Sequence, residues 1–120
     1  MSVRAVRGAT QVEANTPASI ALGTQELLRE ILAANSLSPD DVISVLFTAS
    51  PDLNATFPAA AAREVGFGAV PLICAVEIDV PGALERTIRG MAHIETDLRV
   101  DEISHIYLGG AKALRADIAQ

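Results

Sequence analysis

SPDLNATFPAAAAR, from Ser50 to Arg63, joins two different local patterns. Before it, Val42 to Ala49 (VISVLFTA) is nearly all apolar, the composition of a strand inside a sheet and covered on both faces. After the loop, Pro58 opens an alanine-rich helical turn that carries Arg63 and is expected to reach about Val65, closed by Gly66 and Gly68. An apolar strand, a polar loop and a short helix bearing a cation are the parts of a sheet with helices packed on it.

Toward the N-terminus, Val3 to Ala9 alternates weakly, with Gly8 near its end, and suits a first strand. Thr16 followed by Pro17 is a helix start, a hydroxyl cap with proline in the first turn. Ile20, Leu27, Leu28, Ile31 and Leu32 then share one helical stripe, which ends near Asn35 and Ser36. Ser38, Pro39 and Asp40 leave room only for a short turn before Val42. Toward the C-terminus, Val70 to Ile78 reads as an apolar strand broken by Glu77. Pro81 and Gly82 predict a third helix with Leu84, Ile88 and Met91 on its inner stripe. Ile103 to Leu108 reads as the last strand, and Gly109 and Gly110 lead into a tail, residues 109–120, expected to be mobile. The order β, α, β, short α, β, α, β predicts an α/β or α+β fold, a sheet with helices on one side, in a single domain spanning 1–120.

Half of the residues are apolar, yet the aromatic ones are only Phe47, Phe57, Phe67 and Tyr107. A core of Val, Ile, Leu and Ala buries little area per side chain, which favours further burial against a partner subunit. The net charge of −6 comes without a basic stripe, which argues against nucleic-acid binding. No apolar run approaches the ~18 residues of a membrane span, and the N-terminus lacks an apolar signal core. A lone cysteine, Cys74, excludes an internal disulfide and fits a reducing, cytoplasmic setting. Eight of the nine cations are arginine, with Lys112 the ninth. Arginine forks grip carboxylates bidentately, but a GC-rich genome yields the same bias, so position must decide.

Glu77 interrupts an apolar strand, a costly place for a carboxylate unless it is paired, lies at an opening or faces solvent at the strand end. Cys74 lies three residues earlier, and an odd separation puts the two side chains on opposite faces of a regular strand. Both can serve one site if a bulge intervenes or, the preferred reading, if Cys74 uses its backbone N–H with the thiol packed as a small hydrophobe. On a helix, Arg89 would flank the core beside Ile88 or form a surface pair with Glu85 four residues earlier. His93 and His105 read as ordinary, one on the outer side of the third helix and one within a strand.

Taken with RGAT (Arg7–Thr10), CAVEID (Cys74–Asp79) and YLGGAKALR (Tyr107–Arg115), the opening stretch resembles the monofunctional, Bacillus-type chorismate mutases, over Arg4 to Asp117. The resemblance implies rearrangement of chorismate to prephenate. This step is unimolecular and calls for no nucleophile, metal or cofactor, only restraint of a dianion in a compact conformer and stabilisation of charge as the ether bond lengthens. By the same resemblance, Arg89 is the cation at the ether oxygen, and Glu77 accepts the ring hydroxyl and offsets positive charge on the ring. Cys74 contributes its backbone. Arg7 and Tyr107 bind the side-chain carboxylate, Arg63 and Arg115 face the ring carboxylate at the mouth, and Phe57, Ile73 and Leu114 line the site. Ala60 stands where family members carry a basic residue. The implied assembly is a homotrimer with a barrel-like core of sheets and sites in the clefts between subunits. One subunit gives Arg7, Glu77, Arg89 and Tyr107, and its neighbour gives Phe57 and Arg63. The rival reading is a non-catalytic trimeric binder of dicarboxylates on the same scaffold, which has no need for Glu77.

Overall fold

A hydroxyl cap and a proline start the longest helix where the sequence marks it. Thr16 Oγ1 accepts the backbone N–H of Ser19 at 3.1 Å and Pro17 sits in the first turn of α1 (Pro17–Ala34). The helix stops at Asn35, whose side-chain amide donates back to the Ile31 carbonyl at 2.9 Å. Ile20, Thr24, Leu27, Leu28 and Ile31 form its buried face. Gly23 has a packing reason: a Cβ there would lie 2.5 Å from Val12 Cγ1, so only glycine lets the helix rest this close to the end of the first strand.

The computed structural model describes residues 1–114. Five strands form one mixed sheet: β1 (Ser2–Gln11), β2 (Val42–Ala49), β3 (Leu72–Val76), β4 (Thr87–Thr96) and β5 (Ile106–Leu108), in the order β3-β2-β4-β1-β5. The central β4 is antiparallel to β1 and β2, while β2–β3 and β1–β5 are parallel pairs. α2 (Pro58–Ala62) passes directly into a wider turn at Arg63–Phe67. Three-residue 3-10 turns lie at Pro39–Asp41 and Val100–Glu102, and a four-residue one at Gly109–Lys112 places Ala111 in the interior. No helix among the described residues is long and apolar enough to cross a membrane.

β4 replaces the third helix expected from Pro81, and this is the main correction to the sequence reading. Leu84, Ile88 and Met91 do fit a helical stripe, but Ile88, Gly90, Ala92 and Ile94 are all buried at a spacing of two. Thr87, Ile88, Ile94 and Thr96 are β-branched, which suits a pleated sheet better than a helix. Pro81 and Gly82 open a loop instead. Ala83 N–H bonds the Val80 carbonyl at 3.0 Å, and Arg86 turns the chain into β4 with φ 49. That strained turn is held from several sides. Arg86 N–H donates to Asp52 Oδ2 at 2.9 Å, and its guanidinium donates to the carbonyls of Val12 and Glu13. Smaller differences are that β1 runs past Gly8 to Gln11, β3 is shorter than Val70–Ile78, and β5 begins at Ile106 rather than Ile103.

One face of the sheet carries the core. Val6, Val45, Phe47, Ile88, Ala92 and Ile94 pack with Ile20, Leu27, Leu28 and Ile31 of α1 and with Ala59 and Ala62 of α2. Among the described residues, no helix packs on the opposite face. β2 was expected to be covered on both sides, yet Ile43 and Leu46 remain 40% and 41% exposed. Helices on one side of a mixed sheet are thus observed, with one flank of the sheet left bare.

Candidate active site

Strand register determines what the bare face presents. Pairing aligns Thr48 with Arg89, Arg89 with Ala9, and Ala9 with Tyr107, so these four side chains form a row across β2, β4, β1 and β5. The next row holds Leu46, Met91 and Arg7. Ala9 is the small member of its row, and it leaves space between the long side chains of Arg89 and Tyr107. The result is an open cavity of about 250 Å³ lined by Arg7, Leu46, Thr48, Glu77, Arg89, Met91 and Tyr107, with Gly8, Ala9 and Gly90 as its floor.

The charged groups hold one another in place. Arg89 Nε lies 3.4 Å from Glu77 Oε1. The same carboxylate oxygen accepts the Thr48 hydroxyl at 2.8 Å, and Glu77 Oε2 accepts the Ile78 N–H at 3.3 Å. Glu77 follows directly on β3, and its own N–H donates to the Ala49 carbonyl at 2.9 Å. It therefore stands at a strand end, as one sequence reading allowed, but is turned over the cavity rather than outward. Arg89 projects from a strand, so its expected surface pairing with Glu85 at helical spacing does not occur. Glu85 pairs instead with Arg86 at 3.3 Å. Across the cavity, the Arg7 guanidinium donates to Tyr107 Oη at 3.3 Å, which leaves the phenolic proton free for an acceptor.

Phe57, Arg63, Ile73 and Cys74 do not reach this cavity. They line a second cleft with Ala59 and Leu72, outside β3. Phe57 is 68% and Ile73 63% exposed. The parity argument for Cys74 holds. Cys74 aligns with Phe47 and packs against the core, on the face opposite the row of Thr48 and Arg89. Val45 N–H bonds the Pro71 carbonyl and Glu77 N–H the Ala49 carbonyl, so alternation turns the backbone N–H of Cys74 toward the unpaired edge of β3. Leu114 is half-buried and does not line the Arg89 cavity. Arg115 lies outside the described residues, as does the second half of the tail expected to be mobile, 115–120.

Thr48 escaped the sequence reading, although it left a signal. Ser44 and Thr48 are the polar positions of VISVLFTA and sit four apart, hence on one face. His93 is on β4 rather than on the outer side of a helix, with Nδ1 3.4 Å from Ser44 Oγ. His105 precedes β5, and its Nδ1 accepts the backbone N–H of Arg7 at 3.0 Å. Burial, and secondarily the charge of Arg7, hold the His105 imidazole below the usual histidine value.

Known proteins share both sequence and architecture with this chain. The family model described as chorismate mutase type I matches residues 3–118. Chorismate mutase AroH of Bacillus subtilis is 43% identical over 120 residues, covering 99% of this chain and 94% of the relative. Chorismate mutase AroH of Thermus thermophilus is 45% identical over 117 residues, 97% of this chain and 96% of the relative. The solved structure of chorismate mutase from Clostridium thermocellum superposes with a TM-score of 0.90 at 50% identity, covering 92% of this chain and 98% of that one.

Proposed function

The chain belongs to the type I chorismate mutase family, and from that membership we propose how its cavity turns chorismate into prephenate. The protein is a chorismate mutase, an isomerase of aromatic biosynthesis. The observation that carries the mechanism is that two arginines, a tyrosine and a carboxylate from four different segments line one cavity on the uncovered sheet face.

Chorismate is a dianion, and its rearrangement breaks a carbon–oxygen bond as a carbon–carbon bond forms within one molecule. Nothing is transferred to or from the protein. Arg7 and Tyr107 grip the side-chain carboxylate, the guanidinium by its fork and the phenol by its free proton. Arg89 stands at the ether oxygen, where negative charge grows as the bond lengthens. Glu77 accepts the ring hydroxyl and faces the positive charge that develops on the ring. Because Glu77 also binds Arg89 and Thr48, the two charges that matter most are oriented before substrate arrives. Such preorganisation lowers the barrier without a reorganisation cost during reaction.

The rest of the proposed site lies at the outer edge of the sheet. Phe57, Arg63, Ile73 and the Cys74 backbone border a separate cleft at the open edge of β3. A second copy of the chain placing that edge over the Arg89 cavity closes it, with Arg63, and Arg115 from the tail, near the ring carboxylate. Leu114 is assigned to the wall of the closed site. The exposed apolar side chains Leu46, Ile73, Val76, Ile78 and Val80 support burial of this flank in an oligomer. A homotrimer with its sheets facing inward and one site in each subunit cleft is the arrangement we favour, in the cytoplasm and without nucleic acid or membrane as partner. The test follows chorismate loss and prephenate formation by the purified protein without added metal, alongside Arg89→Ala and Glu77→Gln. Saturable turnover that collapses in both variants is the expected result. Turnover retained in both would overturn the roles of Arg89 and Glu77.

A further inference from the structure

We infer that His105 is a positioning residue for the Arg7–Tyr107 grip, acting through a hydrogen bond to main chain and not through contact with substrate. The inference rests on the carboxylate-binding role proposed for those two residues. β5 has three residues and pairs with β1 only at Gly8, Ala9 and Thr10. A strand this short does little to fix its own side chains, yet it carries Tyr107. Its entry is anchored at two successive residues. The buried Asn35 at the end of α1 clamps Ser104 from both sides, accepting its N–H at 2.8 Å and donating to its carbonyl at 2.9 Å. His105 then takes the N–H of Arg7 on Nδ1 at 3.0 Å, where the β1–β5 ladder has not yet begun. The ring nitrogen replaces the carbonyl that a longer strand would supply. One imidazole thus ties the backbone of Arg7 to the strand bearing Tyr107, and the two side chains meet at 3.3 Å.

The bond has a protonation requirement. Accepting the Arg7 N–H needs a lone pair on Nδ1, so the ring is neutral with its proton on Nε2. The charged group placed against it is Arg7 on β1, and Tyr107, two residues on in β5, bonds that same arginine. The α1 end presents the neutral Asn35. Burial and the Arg7 charge both favour the neutral ring. As pH falls below that lowered value, protonation turns the acceptor into a donor, the tie to Arg7 is lost, and the grip loosens. Binding weakens more than the chemical step, because Arg89 and Glu77 sit in other strands.

The experiment measures KM and kcat between pH 5 and 8 for the wild type, His105→Asn, His105→Phe and Tyr107→Phe, with a thermal melt of each. Asn can keep an acceptor near the Nδ1 position and does not titrate, whereas Phe keeps the ring and loses the acceptor. His105→Phe is expected to raise KM about fivefold at neutral pH, the worth of one hydrogen bond, with kcat little changed. His105→Asn is expected to keep the neutral KM and to abolish the rise in KM that the wild type shows in acid. A His105→Phe variant that melts earlier but keeps the wild-type KM and its pH profile would make the residue merely structural and overturn the inference. An acid rise that persists in His105→Asn would overturn it too. If Tyr107→Phe leaves KM unchanged, the grip itself is misassigned and the inference falls with it. If Tyr107→Phe is impaired and His105→Phe is not, the inference alone fails.

Discussion

Glu77 and Arg89 illustrate how two polar side chains can be justified on an apolar sheet. Each is partly exposed, so their ion pair adds little stability by itself. Its value lies in orientation, and Thr48 is the third member that makes the orientation specific. Arg89→Ala removes the donor proposed for the ether oxygen, and kcat is expected to fall about 10²–10³-fold in a chorismate assay. Thr48→Val removes one hydrogen bond from Glu77 while keeping the side-chain shape. A loss of about fivefold in kcat/KM is expected, with the thermal midpoint nearly unchanged. If Thr48→Val proves neutral for turnover, Arg89 and the Ile78 N–H suffice to orient Glu77. His105 follows the same logic, and it also contributes to stability. With its folded value lowered, its contribution is complete above the unfolded value, about 6.5, and is lost as pH falls through the folded value.

The sheet's central strand depends on how closely its neighbours approach. Gly8 of β1 and Gly90 of β4 are register partners, yet they differ in surroundings. A Cβ at Gly8 would lie 2.9 Å from Leu27 Cδ1, 3.0 Å from Ile31 Cδ1 and 3.1 Å from the Ile106 carbonyl oxygen. A Cβ at Gly90 would meet Phe47 Cδ1 at an ordinary 3.7 Å. Urea denaturation should therefore separate them. Gly8→Ala is expected to destabilise by about 1–3 kcal/mol through overpacking. Gly90→Ala is expected to be neutral or stabilising by up to ~1 kcal/mol, as a strand glycine gains a side chain. Equal losses at both positions would mean that the α1–β1 contact is looser than these distances require. β4 reads as a helix for a reason that also lies in the element. An apolar stripe at spacings of three and four and an alternation at spacing two overlap in LERTIRGMAHI. Proline and glycine ahead of it suit a helix start or a turn equally. Ile94 and Thr96 extend the alternation, and pairing with β1 and β2 settles the strand.

For the molecule as a whole, the bare sheet face and the separated clefts are the facts that matter most. The proposed sharing, in which a chain uses its own Arg7, Glu77, Arg89 and Tyr107 but needs Arg63 from a neighbour, has a definite genetic signature. Co-expressed Arg89→Ala and Arg63→Ala chains, each impaired alone, should recover activity, because on random mixing about a quarter of the shared interfaces carry both arginines. Light scattering should show the mixed species at the same oligomeric mass as the wild type. Absence of recovery in confirmed hybrids would place Arg63 outside the working site. The sequence by itself determined the family, the first helix with its cap, the apolar β2 and the set of residues suited to a dianion, because these rest on local patterns and on residue types. It also determined that Cys74 and Glu77 face opposite ways, since strand parity is a local property. Tertiary structure alone decided that Pro81 to Thr96 is a loop and a strand, because sheet pairing joins residues far apart in the chain. It alone decided which side chains share a cavity: strand order brings Arg7, Thr48, Arg89 and Tyr107 into adjacent rows, and the same order leaves Phe57 and Arg63 on the far edge.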